Sequence, residues 1–232
     1  MMATLQSDAG GINRFEHNRA PASVDKQTVI RMNRDTLYSF AVVDVSAGAT
    51  LTVPDAGGRY LLVMAVMAVN EDHYINRVFH DAGRYDLTAK DLGSPYVVLA
   101  ARTLVDPRDP ADLAKVAAVQ DQILLEAAAN RPFVPPDYDT ESLDRTRKAL
   151  LTLASDMTSF ESSFGRKEDV DPVHHLISTA AGWGGLPDTE ATYVGCRRTC
   201  RSRLRTDRRP RRARRRVLVH LGVHRRGLLR TQ

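Results

Sequence analysis

Ile30-Arg31-Met32-Asn33-Arg34-Asp35-Thr36-Leu37-Tyr38-Ser39 runs straight into Phe40-Ala41-Val42-Val43-Asp44-Val45. Polar and charged side chains crowd the first half, and an apolar, β-branched run follows at once. That is the form of a polar cluster at the mouth of a strand. A second cluster, Asn70-Glu71-Asp72-His73-Tyr74, follows the apolar run from Tyr60 to Val69. Two polar clusters at the ends of neighbouring strands could share one pocket.

Outward from this junction the first half reads as strand after strand. Leu37–Val45 closes at Ser46-Ala47-Gly48, and Thr50–Val53 alternates before the turn Pro54-Asp55-Ala56-Gly57-Gly58. Arg59–Val69 predicts a long strand buried on both faces, followed by strands at His73–Phe79, Tyr85–Thr88 (an edge) and Pro95–Val105. The spacing therefore predicts an α+β fold with a mainly antiparallel sheet in the N-terminal half. Met64-Ala65-Val66-Met67-Ala68-Val69 is a tandem triplet. An odd insertion flips the side-chain alternation downstream unless a bulge absorbs it. Residues 1–28 show no helical stripe and read as irregular.

Composition changes at Asp106-Pro107-Arg108-Asp109-Pro110. Asp109 suits an N-cap and Pro110 the first helical position. Leu113, Val116, Ala117, Gln120, Ile123, Leu124 and Ala127 share one helical face, which predicts a helix ending near Asn130. A second helix is expected from Asp139 or Thr140, with Leu143, Leu150, Leu151, Ala154 and Met157 inward. Asp171-Pro172 repeats the cap-plus-proline start of a short helix ending at Gly182. Trp183-Gly184-Gly185-Leu186-Pro187 requires a tight loop, and Ala191-Thr192-Tyr193-Val194 begins another strand. The expected division is 1–28 irregular, 29–105 β-rich, 106–186 helical, 187–195 the first strand of a further β domain, and 196–232 a disordered tail.

The net charge of +5 conceals an asymmetry. Residues 196–232 hold fifteen Arg and one Asp, so an acidic body carries an intensely basic tail. Both cysteines, Cys196 and Cys200, lie in that tail, so no disulfide is expected in the body, in keeping with a reducing compartment. One reading of the tail is an arm for nucleic acid or anionic surfaces, although it lacks interleaved aromatics for base stacking. The other is a frameshift after Gly195. Arginine codons of GC-rich genes are mostly CGN, and read one nucleotide later each opens a GNN codon. The codons of residues 217–230 then permit an alternating, aromatic-rich strand. The abrupt break at Cys196, without a linker, favours the frameshift. On that reading Cys196, Cys200, His220 and His224 resemble a zinc set only by accident.

Val29–Ser39, Asp55-Ala56-Gly57-Gly58-Arg59-Tyr60, Asn70–Tyr74, Arg102-Thr103 and Thr179-Ala180-Ala181-Gly182-Trp183-Gly184-Gly185 together resemble the bacterial proteins of domain-of-unknown-function family 1254. Those proteins commonly carry the 1214 unknown-function domain behind it. The likeness spans residues 12–195. It implies an α+β, sheet-rich fold and brings no established reaction. It also implies an amphipathic helix before Arg14-Phe15, absent or truncated here, and a C-terminal β domain that the tail has replaced.

Candidate chemistry rests on few residues. Asn33, Arg34, Asp35 and Tyr38 could form a binding constellation, with Arg34 clamping a carboxylate or phosphate, or a structural network tying a loop to the sheet. Glu71, Asp72 and His73 could do acid–base work. In an extended segment Glu71 and His73 would share one face, and three consecutive residues do not supply a metal shell, so a capped strand end is the simpler reading. Arg102 lies inside a strand and, if buried, needs a carboxylate partner such as Asp35 or Glu71. Adjacent His174 and His175 cannot comfortably face one ligand. Trp183 could cover a ligand or plug a core. There is no P-loop, G-x-G-x-x-G or G-x-S-x-G, and no cofactor or metal is expected. The apolar run Leu61–Val69 is too short to cross a membrane, and the N-terminus lacks the marks of a secretory signal. The expectation is a cytoplasmic protein whose intact relatives bind or process a small polar molecule, this chain being a truncated, frameshifted product with impaired folding. A nucleic-acid-binding arm and a non-catalytic interaction protein are the alternatives.

Overall fold

A computed structural model describes residues 1–23, 33–55, 64–196 and 217–222. The Val29–Met32 and Ala56–Tyr60 blocks and most of the arginine-rich tail lie outside the described residues. In chain order the elements are α1 (Met2–Asp8), β1 (Glu16–His17), β2 (Thr36–Asp44), β3 (Ala49–Val53), β4 (Met64–Asn70), β5 (Ile75–Phe79), β6 (Gly83–Leu87), α2 (Ala89–Leu92), β7 (Tyr96–Leu104), α3 (Pro110–Gln120), β8 (Leu124–Ala127), α4 (Thr140–Ala154), α5 (Pro172–Ala181), β9 (Ala191–Cys196) and β10 (Val217–Gly222). The fold is α+β, with antiparallel sheets in the N-terminal half. The chain divides into two compact units, Met1–Tyr138 and Asp139–Gln232.

The first unit holds two sheets. A five-stranded sheet has the order β1-β2-β7-β4-β5 and a three-stranded sheet the order β6-β3-β8. Every pair in both is antiparallel. Because successive side chains point to opposite faces, β2 presents Ala41 and Val43 on one side. These join Val97, Leu99, Ala101, Ala68 and Phe79 of the same sheet in a core that includes Ala49, Leu51, Val53 and Leu87 of the other. Leu51, Leu87 and Leu99 are fully buried, each worth roughly 1.5–3 kcal/mol. Thr50 and Thr52 alternate with the buried residues of β3, as one solvated face requires.

Two element boundaries depart from the sequence reading. Residues 2–8 are helical and bury Met2 and Leu5, although seven residues are too few to show a stripe. The long helix predicted to reach Asn130 stops at Gln120. Leu124–Ala127 instead forms β8 against β3, with Leu51 opposite Leu125 and Ala49 opposite Ala127. An apolar run that fits helical periodicity also fits a strand when an open strand edge offers a partner. The start of α3 is as expected: the Asp109 side chain accepts from the Ala111 amide and Pro110 opens the helix. The triplet repeat in β4 runs in unbroken register against β7. Its register slips against β5 between Ala68 and Val69. Ala68 faces Arg77 and Val69 faces Ile75, so Asn76 is the bulged residue.

In the second unit Asp139 and Asp171 cap α4 and α5. On α4, Ala154 is buried, whereas Leu143, expected inward, is 52% exposed. His175 is buried on α5, with its Nδ1 3.0 Å from the Ser163 carbonyl oxygen, while His174 is only half-buried. The glycine-rich loop is tight at one point: a Cβ on Gly185 would fall 2.3 Å from the Phe164 ring. β9 and β10 pair in parallel from Ala191↔Val217 to Cys196↔Gly222.

Candidate functional site

The Thr36 end of β2 carries the first cluster. Antiparallel register sets Tyr38 opposite Arg102 and Thr36 opposite Leu104. The Arg102 guanidinium carbon lies 5.7 Å from the Tyr38 ring centroid, within reach of a cation–π interaction. Phe40, two residues along the same face, stacks on Tyr38 at 5.8 Å. The Asn33 amide donates to the Tyr38 hydroxyl at 2.9 Å. Tyr38 is thus buried and held from three sides, while Arg34 and Asp35 stand exposed beside it. The Asp35 carbonyl accepts from the Val105 amide at 2.8 Å, which ties the strand mouth to the end of β7. A cation, a phenol and a second exposed guanidinium at one sheet end suit a carboxylate or phosphate.

The second cluster is a turn, not an extended segment. The Asn70 side-chain oxygen accepts from the Asp72 amide at 3.0 Å and the Tyr74 amide at 2.9 Å. The Asn70 carbonyl accepts from the His73 amide. His73 has φ +64°, a left-handed conformation that histidine tolerates better than most residues. The expected shared face of Glu71 and His73 is therefore lost, because the backbone reverses between them. Asn70 is buried, and Gly93 lies so close that a Cβ there would fall 3.1 Å from its Nδ2. Partial burial raises the Glu71 pKa, and Asp72 beside it adds to the rise; the Tyr96 amide and the Ser94 hydroxyl oppose it.

Register separates the two clusters. Tyr38 shares a row with Arg102, while Asn70 shares a row with Val97 and Val43. At ~3.3 Å per residue along β7, the rows are roughly 17 Å apart. The clusters sit at opposite ends of one sheet, so the expectation of a common pocket is corrected and Glu71 is out of reach of Arg102. The structure brings together Asn33, Arg34, Asp35, Tyr38 and Arg102, and separately Asn70, Glu71, Asp72 and His73. Trp183 belongs to the second unit, half-buried in the loop between α5 and β9. Among the described residues no three His, Cys, Asp or Glu side chains group as a metal set, and no helix is long and apolar enough to cross a membrane.

Sequence reasoning missed two polar networks. His17 Nδ1 lies 2.8 Å from the Ser39 hydroxyl, which receives a hydrogen bond from Gln120 at 3.0 Å. Arg19 donates to the Gln120 side-chain oxygen and the Ala117 carbonyl, and pairs with Asp121. At the Asn70 end, the fully buried Asp44 carboxylate accepts from the Ser46 amide and hydroxyl and from the Arg131 amide and side chain. Burial works to raise the Asp44 pKa; Arg131 and Ser46 outweigh it and bring it down to about 2. Ser39 and Asp44 both stood in the stretch that decides the fold, but their partners lie far along the chain, and no local pattern marks them.

A family model for a protein of unknown function, DUF1254, matches residues 12–127. That span contains both polar clusters, Arg102 and the two sheets. The chain is also similar in structure to the VPA0106 protein from Vibrio parahaemolyticus, with a TM-score of 0.54 at 17% identity, over 68% of this chain and 59% of that one. That likeness is one of fold alone, and the match spans under two thirds of the relative's length. No curated protein matches the chain. The match to half of the sequence, over the strand-mouth block and both sheets, places the chain in the DUF1254 family.

Proposed function

We propose that the first unit binds a small anionic molecule, a carboxylate or a phosphate, at the Tyr38 end of the five-stranded sheet. The observation that supports this reading is the in-register Tyr38–Arg102 pair, with the guanidinium over the ring and the Asn33 amide on the hydroxyl. Arg102 supplies the charge next to an apolar wall, Arg34 supplies a second cation at the rim, and Tyr38 and Asn33 set the orientation. Such convergence of a few polar groups on an aromatic surface is how small-molecule sites obtain specificity. Titrating the 15N-labelled protein with benzoate and with inorganic phosphate tests it. Amide shifts clustered at residues 33–38 and 102–104, and lost in Arg102→Ala, are expected. Shifts scattered over the surface, or unchanged in that variant, would overturn the proposal.

A second reading, a non-catalytic interaction protein, draws on the separation of the two clusters. The Asn70–Tyr74 turn is held by its own Asn70 side-chain oxygen on the Asp72 and Tyr74 amides, with Gly93 close against Asn70, so that end of the sheet supports a scaffold role. Binding through an arginine-rich arm has less support. The composition break at Cys196 supports a reading-frame change there, and a gene without a single-nucleotide insertion or deletion near that codon would sink that explanation.

A further inference from the structure

We propose that His17 is an acid-operated latch that fastens the edge strand β1 to β2 and to the end of α3. Arg19 can only donate hydrogen bonds. Its guanidinium contacts the Gln120 side chain at 3.1 Å, so the atom facing it must be the amide oxygen. The Gln120 NH2 group then faces the other way, toward the Ser39 hydroxyl at 3.0 Å and the carbonyls of Tyr38 and Asn18, each at 3.3 Å. In the proposed latch the Ser39 oxygen receives one Gln120 proton and turns its own proton to His17 Nδ1, at 2.8 Å. The Ser39 oxygen could accept from Nδ1 as well; in the proposed latch Nδ1 is the bare acceptor. In that arrangement His17 is neutral, with its ring proton on Nε2, and a directed chain runs Arg19 → Gln120 → Ser39 → His17.

The links join β1 and the loop after it to β2 and α3. His17 is on β1 and pairs across the ladder with Ser39 of β2. Gln120 closes α3 and is fully buried, as is Ser39. The backbone around the latch is short: Asn18 donates to the Tyr38 carbonyl and Asn13 to the Val42 carbonyl, both at 2.8 Å. Two strand residues cannot hold an edge by themselves, so the side-chain chain carries much of the attachment. Protonating Nδ1 places an N–H where the Ser39 proton points. The contact reverses, with Nδ1–H donating to the Ser39 oxygen, and the buried hydroxyl proton loses this acceptor.

The charges facing His17 set when this happens. Burial lowers its pKa first, Arg19 lowers it further, and Asp121 at the end of α3 opposes both. β2 contributes only the neutral Ser39 to this contact, and Phe15 stacks on the ring at 5.6 Å. With a folded value below the ordinary one, the latch contributes fully above the ordinary histidine pKa. Its contribution is lost as pH falls through the depressed value.

Two NMR measurements on the full chain test this. Ring nitrogen shifts at neutral pH should show His17 as the Nε2–H tautomer; a protonated Nδ1 would overturn the proposal. Amide exchange should show the protection factors of Asn13 and Asn18 falling about fivefold or more below the His17 midpoint, the effect of losing one hydrogen bond. Val98 and Leu99, in the centre of the sheet, should keep theirs. Unchanged protection at Asn13 and Asn18, or equal loss at Val98 and Leu99, would overturn it. In His17→Asn, which retains an acceptor but cannot titrate, the pH dependence should vanish. Its persistence would assign the effect to another group.

Discussion

The two ends of the five-stranded sheet are built from similar residues and arrange them differently. At the Asn70 end, polar groups are turned inward and spent on the chain itself. Asn70 closes a hairpin through two backbone amides, and Asp44 collects donors from Ser46 and Arg131. At the Tyr38 end the buried phenol meets Arg102 across the strands while Arg34 and Asp35 face outward. An Asp, an Asn or an Arg is structural where backbone donors and acceptors surround it. Where the backbone is already paired, the same residue types are left pointing out, open to the ligand proposed for that end.

The largest effect expected from breaking this contrast is at Asp44. Asp44→Ala removes a fully buried carboxylate and strands the Ser46 and Arg131 amides, and should cost about 3 kcal/mol by denaturant unfolding. The pH dependence has a definite sign. Because the folded pKa is lowered to about 2, the carboxylate's contribution is complete above its ordinary value of 3.8. It is lost as pH falls through about 2, and amounts to ~2 kcal/mol in all. An unfolding free energy that is flat between those values, once compared with Asp44→Asn, would place the stabilisation elsewhere.

Asn70→Ala should cost less, about 1–2 kcal/mol, since two turn amides lose one shared acceptor. Chemical denaturation reads it, and a loss below a few tenths would mean the turn holds without its side chain. Arg34→Ala should be smallest, within ~0.5 kcal/mol of the parent, because the residue is exposed and outside the packed core. If the Tyr38 end is the recognition end, the same substitution should weaken benzoate or phosphate binding severalfold. Glu71→Gln, at the far end, should leave that binding unchanged. Equal effects of both would erase the distinction between the ends.

Much of this was legible in local sequence. The strands β2, β3 and β7 follow from β-branched and alternating runs, and the starts of α3, α4 and α5 from aspartate caps, two of them followed by proline. The composition of Asn33–Tyr38 and Asn70–Tyr74 marked both clusters. Their placement was not legible. The apolar residues after Gln120 fit a helix as well as a strand, and only the open edge of β3 decided for β8. Leu143 fitted an inward face that α4 leaves exposed.

Local chemistry by itself determined where strands begin, where helices are capped, and which family the chain resembles, because capping, turns and β-branching act over a few residues. Register, and with it the site, was decided only by tertiary structure. A strand carries no mark of which residue it will face. Pairing across β2, β7 and β4 sent Tyr38 to Arg102 and Asn70 to the opposite end. It also set Ser39 between His17 and Gln120, residues far apart in sequence whose hydrogen bonds exist only once the sheet and α3 are in place.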